Sequence, residues 1–235
     1  MKGIEEILPK DLNILLDVGC GEGLFLSSIE KKREAKTVGV DLNKKSIFKG
    51  KKKNPNILFI VGDAQQLPCK KDIFDAVILY HVLEHVPDEE SAIKEMYRVL
   101  TPQGILLIAT PHLGPFAFMD PLNFRVRFPK FYTKVFVKLS DRKQQESAIH
   151  KHYSVAMLKN IVTPFFKIKY ISRGGFFLRP LGILLQALVD KGARLLKIQH
   201  IDLLLKCTYW LQKIDLLVDY GVISSDVEIT CERAK

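Results

Sequence analysis

The chain has 235 residues, 47% of them hydrophobic and 26% charged, which is typical of a folded domain and unlike a disordered chain. Its longest charge-free apolar stretch towards the C-terminus, residues 180–189, is about half as long as a membrane-spanning helix needs. The N-terminus lacks the apolar core of a signal peptide, and the four cysteines are widely spaced. We therefore expect a reducing, cytoplasmic compartment.

Positive charge is concentrated in one short segment. The net charge is +10, and residues 31–53 contain ten Lys and Arg against Glu34 and Asp41. Such a cluster is typical of proteins that bind nucleic acid or an anionic membrane. It also suits the C-terminal ends of two helices, because cations there interact favourably with the helix dipole. We favour the second interpretation, since helix C-termini lie at the sheet edge opposite the ligand-binding edge.

Apolar strands alternate with helices over the first 110 residues. We predict strands over residues 13–18, 37–41, 57–61, 73–79 and 105–109, and helices over residues 23–32, 44–52 and 88–100. A helix over residues 154–162 and strands over residues 165–172 and 226–231 are predicted further along. Because the early strands are apolar throughout, they indicate a mostly parallel, doubly wound α/β sheet of the Rossmann-like type.

A glycine-rich turn joins the first strand to the first helix. Its sequence, DVGCGEG over residues 17–23, places glycines at alternate positions, where the missing side chains let the backbone approach a ligand. The helix N-terminus that follows is electropositive. Leu24 stands where the dinucleotide fingerprint G-x-G-x-x-G has its last glycine. The turn therefore predicts a nucleotide-type site that lacks the dinucleotide fingerprint.

Acidic residues end three successive strands. Asp17 ends the first, and Asp41 ends the second, 22 residues after Gly19, at the spacing of an acid that accepts hydrogen bonds from ribose hydroxyls. Asp63 follows the third strand, where it is placed to accept from an adenine amino group. Asp41 or Asp63 taken alone also fits a helix N-cap. Three acids on one sheet edge favour a ligand site.

Six segments, in order, carry a family resemblance: residues 16–23 (LDVGCGEG), 39–42 (GVDL), 62–68 (GDAQQLP), 74–78 (FDAVI), 83–88 (LEHVPD) and 98–104 (RVLTPQG). With them, residues 12–112 resemble the class I S-adenosylmethionine-dependent methyltransferases, especially the group that includes ubiquinone- and menaquinone-pathway enzymes. The resemblance implies a seven-stranded sheet with an antiparallel last strand. It also implies S-adenosylmethionine as the methyl donor and S-adenosylhomocysteine as its product.

The resemblance further implies roles for individual residues in binding the cofactor. The methionine part would be faced by Asp17, Gly19, Cys20 and Gly21, the ribose by Asp41 and Leu42, and the adenine by Asp63 and Ala64. The sulfonium would lie beside Tyr80 and His81, with His85 completing the set. His85 has the alternative role of a histidine that caps backbone groups.

Methyl transfer to oxygen or carbon calls for a base that is active near neutral pH, and histidine is the usual choice. His81 and His112 follow strands at the predicted cofactor edge, and we assign the base to one of them. His81 also begins the sequence HVLEH, which matches the inverted zinc-protease motif H-x-x-E-H. Because these residues follow a buried strand and run into Pro87, we expect no metal site there.

The chain is predicted to form one domain in three parts: a cofactor-binding half over residues 1–112, an aromatic and basic lid over 113–153, and a helical insertion over 176–220 before the last strand. Within the lid, residues 116–132 combine six aromatic residues with cations such as Arg125 and Arg127. Such a segment suits an apolar acceptor, a membrane interface or stacked RNA bases, and it equally suits plain packing on the sheet.

The sequence favours O- or C-methylation of a small or lipid-like acceptor, with peripheral membrane contact left open. The alternative is an RNA or protein methyltransferase that uses the basic surface. Against base methylation, the fourth strand ends in YHVL over residues 80–83 and lacks the Asn/Asp-Pro-Pro-aromatic signature of amino-group base methylases. A further alternative is a non-catalytic module that keeps the cofactor fold and binds a partner. The oligomeric state is not indicated.

Overall fold

The structure, a computed structural model, describes residues 7–30, 32–113, 151–174, 224 and 226–234. The chain divides into two units, one made of residues 2–110, 153–171 and 228–235 and the other of Met1 with residues 111–152 and 172–227. Most of the predicted lid, and all of the predicted helical insertion over residues 176–220, lie outside the described residues. The division of the chain into these parts stays a prediction.

Strands and helices alternate along the described chain in the predicted order. The strands are β1 (Ile14–Val18), β2 (Lys36–Asp41), β3 (Leu58–Val61), β4 (Phe74–Tyr80), β5 (Leu100–Pro111), β6 (Phe166–Gly174) and β7 (Asp226–Arg233). The helices are α1 (Leu24–Glu30), α2 (Lys44–Lys53), α3 (Glu89–Val99) and α4 (Val155–Val162), with a 3-10 turn at Leu83–His85. Among the described residues, no helix is both long and apolar enough to cross a membrane.

The seven strands form one sheet in the order β3-β2-β1-β4-β5-β7-β6, parallel from β3 to β5 and antiparallel at β7. The predicted Rossmann-like, doubly wound sheet with an antiparallel last strand is thereby confirmed. The strand order reverses between β1 and β4, and open α/β sheets bind ligands outside the carboxyl ends of the strands at such a point. The turns that follow β1, β2 and β4 are therefore where a ligand site is expected.

The strands owe their place in the sheet to apolar burial. On one face, Leu15, Ala76 and Leu107 share a fully buried core with Leu26 and Ile29 of α1. Burying a large aliphatic side chain contributes roughly 1.5–3 kcal/mol, so this core stabilises the central strands and holds their ends in register.

β5 is longer than the five residues predicted for it. It begins at Leu100, directly after α3, and the register between β4 and β5 shifts between the Phe74–Leu100 pair and the Ala76–Ile105 pair. Gln103, within the shifted segment, has a positive φ of 69°. The sequence reads as a turn over residues 101–104 because Pro102 and Gly104 are turn residues, yet the segment stays paired at both ends.

β7 carries a buried carboxyl group. Glu228 is 2% exposed, and its Oε1 atom has no hydrogen-bond partner among the described residues. Burial raises the pKa of Glu228 from its ordinary value of 4.5 to about 7. Because the folded state holds this proton more tightly than the unfolded state, the stability that the proton provides is complete below pH 4.5 and is lost as the pH rises through 7.

We therefore expect Glu228→Gln to stabilise the protein at pH 8 and to have little effect at pH 5. The two pKa values differ enough to correspond to about 3 kcal/mol. Urea unfolding at both pH values measures the change, with the exposed Glu34→Gln as the control. Equal effects of the two substitutions at pH 8 would contradict the prediction.

Candidate cofactor site

The turn between β1 and α1 has a backbone that only glycine adopts readily. Gly19, Gly21 and Gly23 have φ angles of +78°, +55° and +76°. A Cβ atom added to Gly19 would lie 2.1 Å from Val82 Cγ2, and one added to Gly23 would lie 2.4 Å from Phe59 Cζ. A Cβ added to Gly21 would meet no described atom within 4 Å. The turn is therefore packed at both ends and open to a ligand in its middle.

β2 holds this turn in place through backbone hydrogen bonds and one carboxylate. The N–H groups of Gly19 and Cys20 both donate to Val40 O, at 2.7 and 3.1 Å. Gly21 N donates to Asp41 Oδ2 at 2.8 Å, and Asn43 N donates to Asp41 Oδ1 at 2.7 Å. A carboxylate offers about four acceptor positions, so Asp41 keeps capacity for hydroxyl groups of a ligand.

The structure excludes the N-cap role for Asp41, and its ribose contact stays a prediction. The N-cap of α2 is Asn43, whose Oδ1 accepts from Lys45 N at 3.0 Å and Ser46 N at 3.3 Å. The Asp41 carboxylate instead joins the glycine turn to the start of α2. Leu42, between them, is 71% exposed, so its side chain is available to cover a ligand.

Asp63 stabilises the turn in which it lies. Its Oδ1 atom accepts from Gln65 N at 2.8 Å, and Gln65 Nε2 lies 3.1 and 3.2 Å from its two oxygens. Ala64 beside it is 9% exposed. The alternative of a local capping role thus has direct support, and the adenine contact of Asp63 and Ala64 stays a prediction.

Asp17 is the buried acid behind the turn, with 6% of its surface exposed. Burial, reinforced by the nearby Asp41 carboxylate, raises the pKa of Asp17 from its ordinary value of 3.8 to about 8. A positively charged ligand would favour the ionised form of Asp17 and lower that pKa. Two carboxyl groups beside an open glycine turn therefore suit a cation with hydroxyl groups, which fits the predicted cofactor.

Cys20 lies close to these acids but is not an activated thiol. Burial, followed by the Asp17 and Asp41 carboxylates, raises the pKa of its thiol far above the ordinary value. Nucleophilic cysteines need the opposite environment, because only the thiolate reacts. Cys20 therefore contributes its backbone to the turn and no nucleophile to the site.

The loop after β4 lies beside the glycine turn, because Val82 fills the space over Gly19. Tyr80 ends β4, and its ring meets the His81 ring edge-on with centroids 4.9 Å apart. His81 has a φ of +54°, and its N–H donates to Ala109 O at 2.8 Å. The hydrogen bond to β5 fixes this left-handed backbone conformation, and it thereby fixes the direction in which the Cα–Cβ bond of His81 points.

His81 is paired with a buried carboxyl group. Its Nδ1 atom lies 3.2 Å from Oε1 of Glu84, which is 1% exposed. The other oxygen, Oε2, has no hydrogen-bond partner within the part of the chain that the structure describes. His81 itself keeps 26% of its side chain exposed. The pair thus presents one imidazole edge to a buried acceptor and leaves the rest of the ring accessible.

The H-x-x-E-H sequence does not lie on a long helix. It runs from the end of β4 through the single 3-10 turn that ends at His85, a half-buried residue. Within the described ranges, no group of three or more His, Cys, Asp or Glu is arranged to hold a metal ion.

His112, the other histidine assigned as a base, belongs to the second unit. It is 5% exposed, and its Nδ1 atom lies 3.1 Å from Ser224 O. Its catalytic role stays a prediction.

The turn after β3 is held by α3 and has no nucleophile. Arg98 Nη1 donates to Cys69 O at 2.8 Å and Nη2 donates to Leu67 O at 3.1 Å, while Glu95 Oε2 accepts from Leu67 N at 2.7 Å. Arg98 and Glu95 also pair with each other at 2.7 Å. Burial raises the pKa of the Cys69 thiol. The Pro68-Cys69 dipeptide is therefore part of a structural turn.

Sequence reasoning missed two residues that shape the loop after β4. In the sequence, Glu84 belongs to the H-x-x-E-H motif and to the segment LEHVPD, and neither pattern predicts that its carboxyl group is buried. Tyr153 is fully buried, and its hydroxyl donates to Leu83 O at 3.0 Å and Glu89 Oε1 at 2.9 Å. The sequence carried no signal for the Tyr153 contact, because it joins residues 70 positions apart.

Comparison with known proteins agrees with this geometry. Residues 16–108 match the family described as a methyltransferase domain. The chain is 33% identical over 139 residues to the demethylmenaquinone methyltransferase of Staphylococcus aureus (strain MRSA252), a match that covers 56% of each protein. It thus spans about half the length of the curated relatives it matches.

Solved structures share the fold. A S-adenosylmethionine-dependent methyltransferase from Mesorhizobium loti has a TM-score of 0.61 at 16% identity, covering 98% of this chain and 95% of that one. A S-adenosylmethionine-dependent methyltransferase from Methanosarcina mazei has a TM-score of 0.60 at 19% identity, covering 98% and 96%.

The raised pKa of Asp17 leads to a prediction about the pH dependence of ligand binding. Near pH 7 we expect S-adenosylmethionine to release about one proton from the protein on binding, because the cation ionises Asp17. Its affinity should then rise by up to about tenfold per pH unit below pH 8. Calorimetry in two buffers of different ionisation enthalpy counts the protons, and Asp17→Asn should abolish the release. Equal proton release by both proteins would contradict the prediction.

Proposed function

Because residues 16–108 match a methyltransferase domain, we propose that the chain is a class I S-adenosylmethionine-dependent methyltransferase and that it transfers a methyl group from this cofactor to oxygen or carbon of a small, lipid-like acceptor. The observation that carries the proposal is the open glycine turn at Gly21 beside the carboxyl groups of Asp17 and Asp41. This arrangement suits a ligand that combines positive charge with ribose hydroxyls.

The cofactor is held by residues at the carboxyl ends of β1, β2 and β3. Asp17 and the turn from Gly19 to Gly21 accommodate the methionine part, and Asp41 with Leu42 the ribose. Asp63 and Ala64 flank the adenine. When bound, the cofactor supplies an electrophilic methyl group on a positively charged sulfur. Positioning of the acceptor then provides most of the acceleration.

His81 acts as the general base in this proposal. Its Nδ1 atom faces the buried Glu84 carboxylate at 3.2 Å, which suits a proton on Nδ1, and we assign the proton transfer from the acceptor to Nε2. The acceptor would lose its proton to Nε2 while its oxygen or carbon takes the methyl group. The bond between sulfur and the methyl carbon would break, and its electron pair would stay on the sulfur of the leaving S-adenosylhomocysteine. Glu84 positions the imidazole and does not touch the acceptor.

Two observations, one from a relative and one from composition, support a lipid-like acceptor. The Staphylococcus aureus relative is named for methylation of demethylmenaquinone, a quinone. The aromatic and basic composition of residues 113–153 also suits an apolar molecule. The proposed transfer from S-adenosylmethionine itself does not depend on which acceptor is used.

The acceptor class is tested by incubating the purified protein with methyl-labelled S-adenosylmethionine and a cell extract, with and without nuclease treatment. We expect the label to enter molecules that partition into organic solvent, whether or not the extract was treated. Label in nuclease-sensitive material or in protein would contradict the proposal and support the alternative acceptors. Cofactor binding without any transfer would support a non-catalytic module.

The base assignment predicts the effect of two substitutions. Once an acceptor is found, we expect His81→Asn to lower kcat by about 100- to 10,000-fold and Glu84→Gln by at least about tenfold. Asn is the suitable replacement because it tolerates the left-handed backbone of residue 81. S-adenosylmethionine affinity should stay within about twofold in both, as should that of the exposed control Glu90→Gln, whose kcat should not change. Full activity of His81→Asn would overturn the assignment.

A further inference from the structure

The outer face of α2 displays an exposed phenylalanine within a group of lysines. Phe48 is 72% exposed. Positions three and four residues away on a helix lie on the same side, and all four such positions around Phe48 are lysine, namely Lys44, Lys45, Lys51 and Lys52. We call these five residues the Phe48 patch. The opposite side of α2 is buried through Ile47 and Gly50, so the patch points away from the domain.

The lysines of the patch are not explained by pairing within the domain. The other two lysines of α2, Lys49 and Lys53, form ion pairs with Glu22. The four patch lysines have no ion pair among the described residues, and α2 itself contains no acidic residue. The patch therefore presents a concentrated, uncompensated positive charge.

The helix dipole accounts for only part of this charge. Lys51, Lys52 and Lys53 lie in the last turn of α2, where cations are stabilised. Lys44 and Lys45 lie in the first turn, where the dipole disfavours cations and no acid offsets them. The exposed Phe48 ring at the centre is a second unfavourable feature, because its apolar surface is in contact with water. Both features become favourable if the patch is covered by an apolar layer that carries negative charge.

We propose that the Phe48 patch docks the protein on an anionic lipid bilayer. Phe48 would insert at the boundary between headgroups and acyl chains, as the apolar side chains of interfacial helices do. Lysine stems would extend beside it and place their ammonium groups among the headgroup phosphates.

The arrangement fits a bilayer better than nucleic acid. Proteins that bind single-stranded nucleic acid present several aromatic rings along a basic groove, one for each stacked base. α2 offers one ring on a convex helical surface. The inference goes beyond the proposed methyl transfer and does not depend on the acceptor, although docking would bring the protein to a lipid-like substrate.

Vesicle co-sedimentation tests the proposal with vesicles of phosphatidylcholine alone and of phosphatidylcholine with about one third phosphatidylserine. We expect the protein to bind the anionic vesicles only, and more weakly as salt rises. Replacing all four patch lysines by glutamine should weaken binding by more than about a hundredfold. Phe48→Ala should weaken it by about tenfold.

Matched controls separate the patch from overall charge and hydrophobicity. Glutamine at four exposed lysines elsewhere removes the same charge and should change binding by less than about fivefold; these are Lys70, Lys71, Lys159 and Lys167. Met157→Ala, at a side chain 41% exposed on α4, controls for Phe48→Ala. S-adenosylmethionine binding by every variant shows that the fold is intact, and it tests the proposed function separately.

Three results would overturn the docking proposal. They are equal binding to neutral and anionic vesicles, equal losses in the patch and control variants, and no vesicle binding by the unmodified protein. The protein is also titrated with a fluorescent single-stranded RNA. RNA binding that depends on the patch, with no binding to vesicles, would assign the patch to nucleic acid instead. None of these results bears on whether the protein binds S-adenosylmethionine.

Discussion

Two carboxyl groups at the ends of adjacent parallel strands are the constraint on which the site depends. β1 and β2 pair with Val18 beside Val40, which brings Asp17 and Asp41 within electrostatic reach. Since Asp17 is buried, its ionisation is costly until a positive charge enters. On the proposed function, the methionine part that faces Asp17 carries an ammonium group in both the methyl donor and the product, and the sulfonium of the donor adds a second positive charge that the product lacks. The same acids would therefore favour the donor over the product.

The glycine turn is held in shape by side chains from other strands. The Phe59 ring of β3 fills the space that Gly23 leaves, and it also lies against Gly50 of α2. Val82 after β4 does the same for Gly19. Gly21 alone keeps open space at its Cβ position. The packing of β3 and of the loop after β4 against the glycine turn thus leaves open space at the residue that a ligand would approach.

α2 shows how one short helix serves two surfaces. Its inner side packs through Ile47 and Gly50, and its N-cap Asn43 lies directly after the Asp41 and Leu42 of the cofactor site. Its outer side carries the Phe48 patch. The sequence interpretation placed Lys49 to Lys53 at a helix C-terminus, whereas Lys44 and Lys45 lie in the first turn of α2, where the dipole disfavours cations. The same helix would therefore carry a docking surface on its outer side and begin, at its N-terminus, next to the cofactor site.

The sequence by itself determined the order of strands and helices, the parallel sheet and the strand ends at which the residues of the candidate site lie. These follow from local patterns: apolar runs, alternating glycines and acids at strand ends. Only the tertiary structure decided that Asn43 rather than Asp41 caps α2, that Asp63 bonds to its own turn, and that β5 begins at Leu100. It also decided that Glu84 is buried against His81 and that Tyr153 reaches Leu83. Such contacts depend on which side chains are buried together and on the local backbone conformation. A local pattern of residue types specifies neither of these.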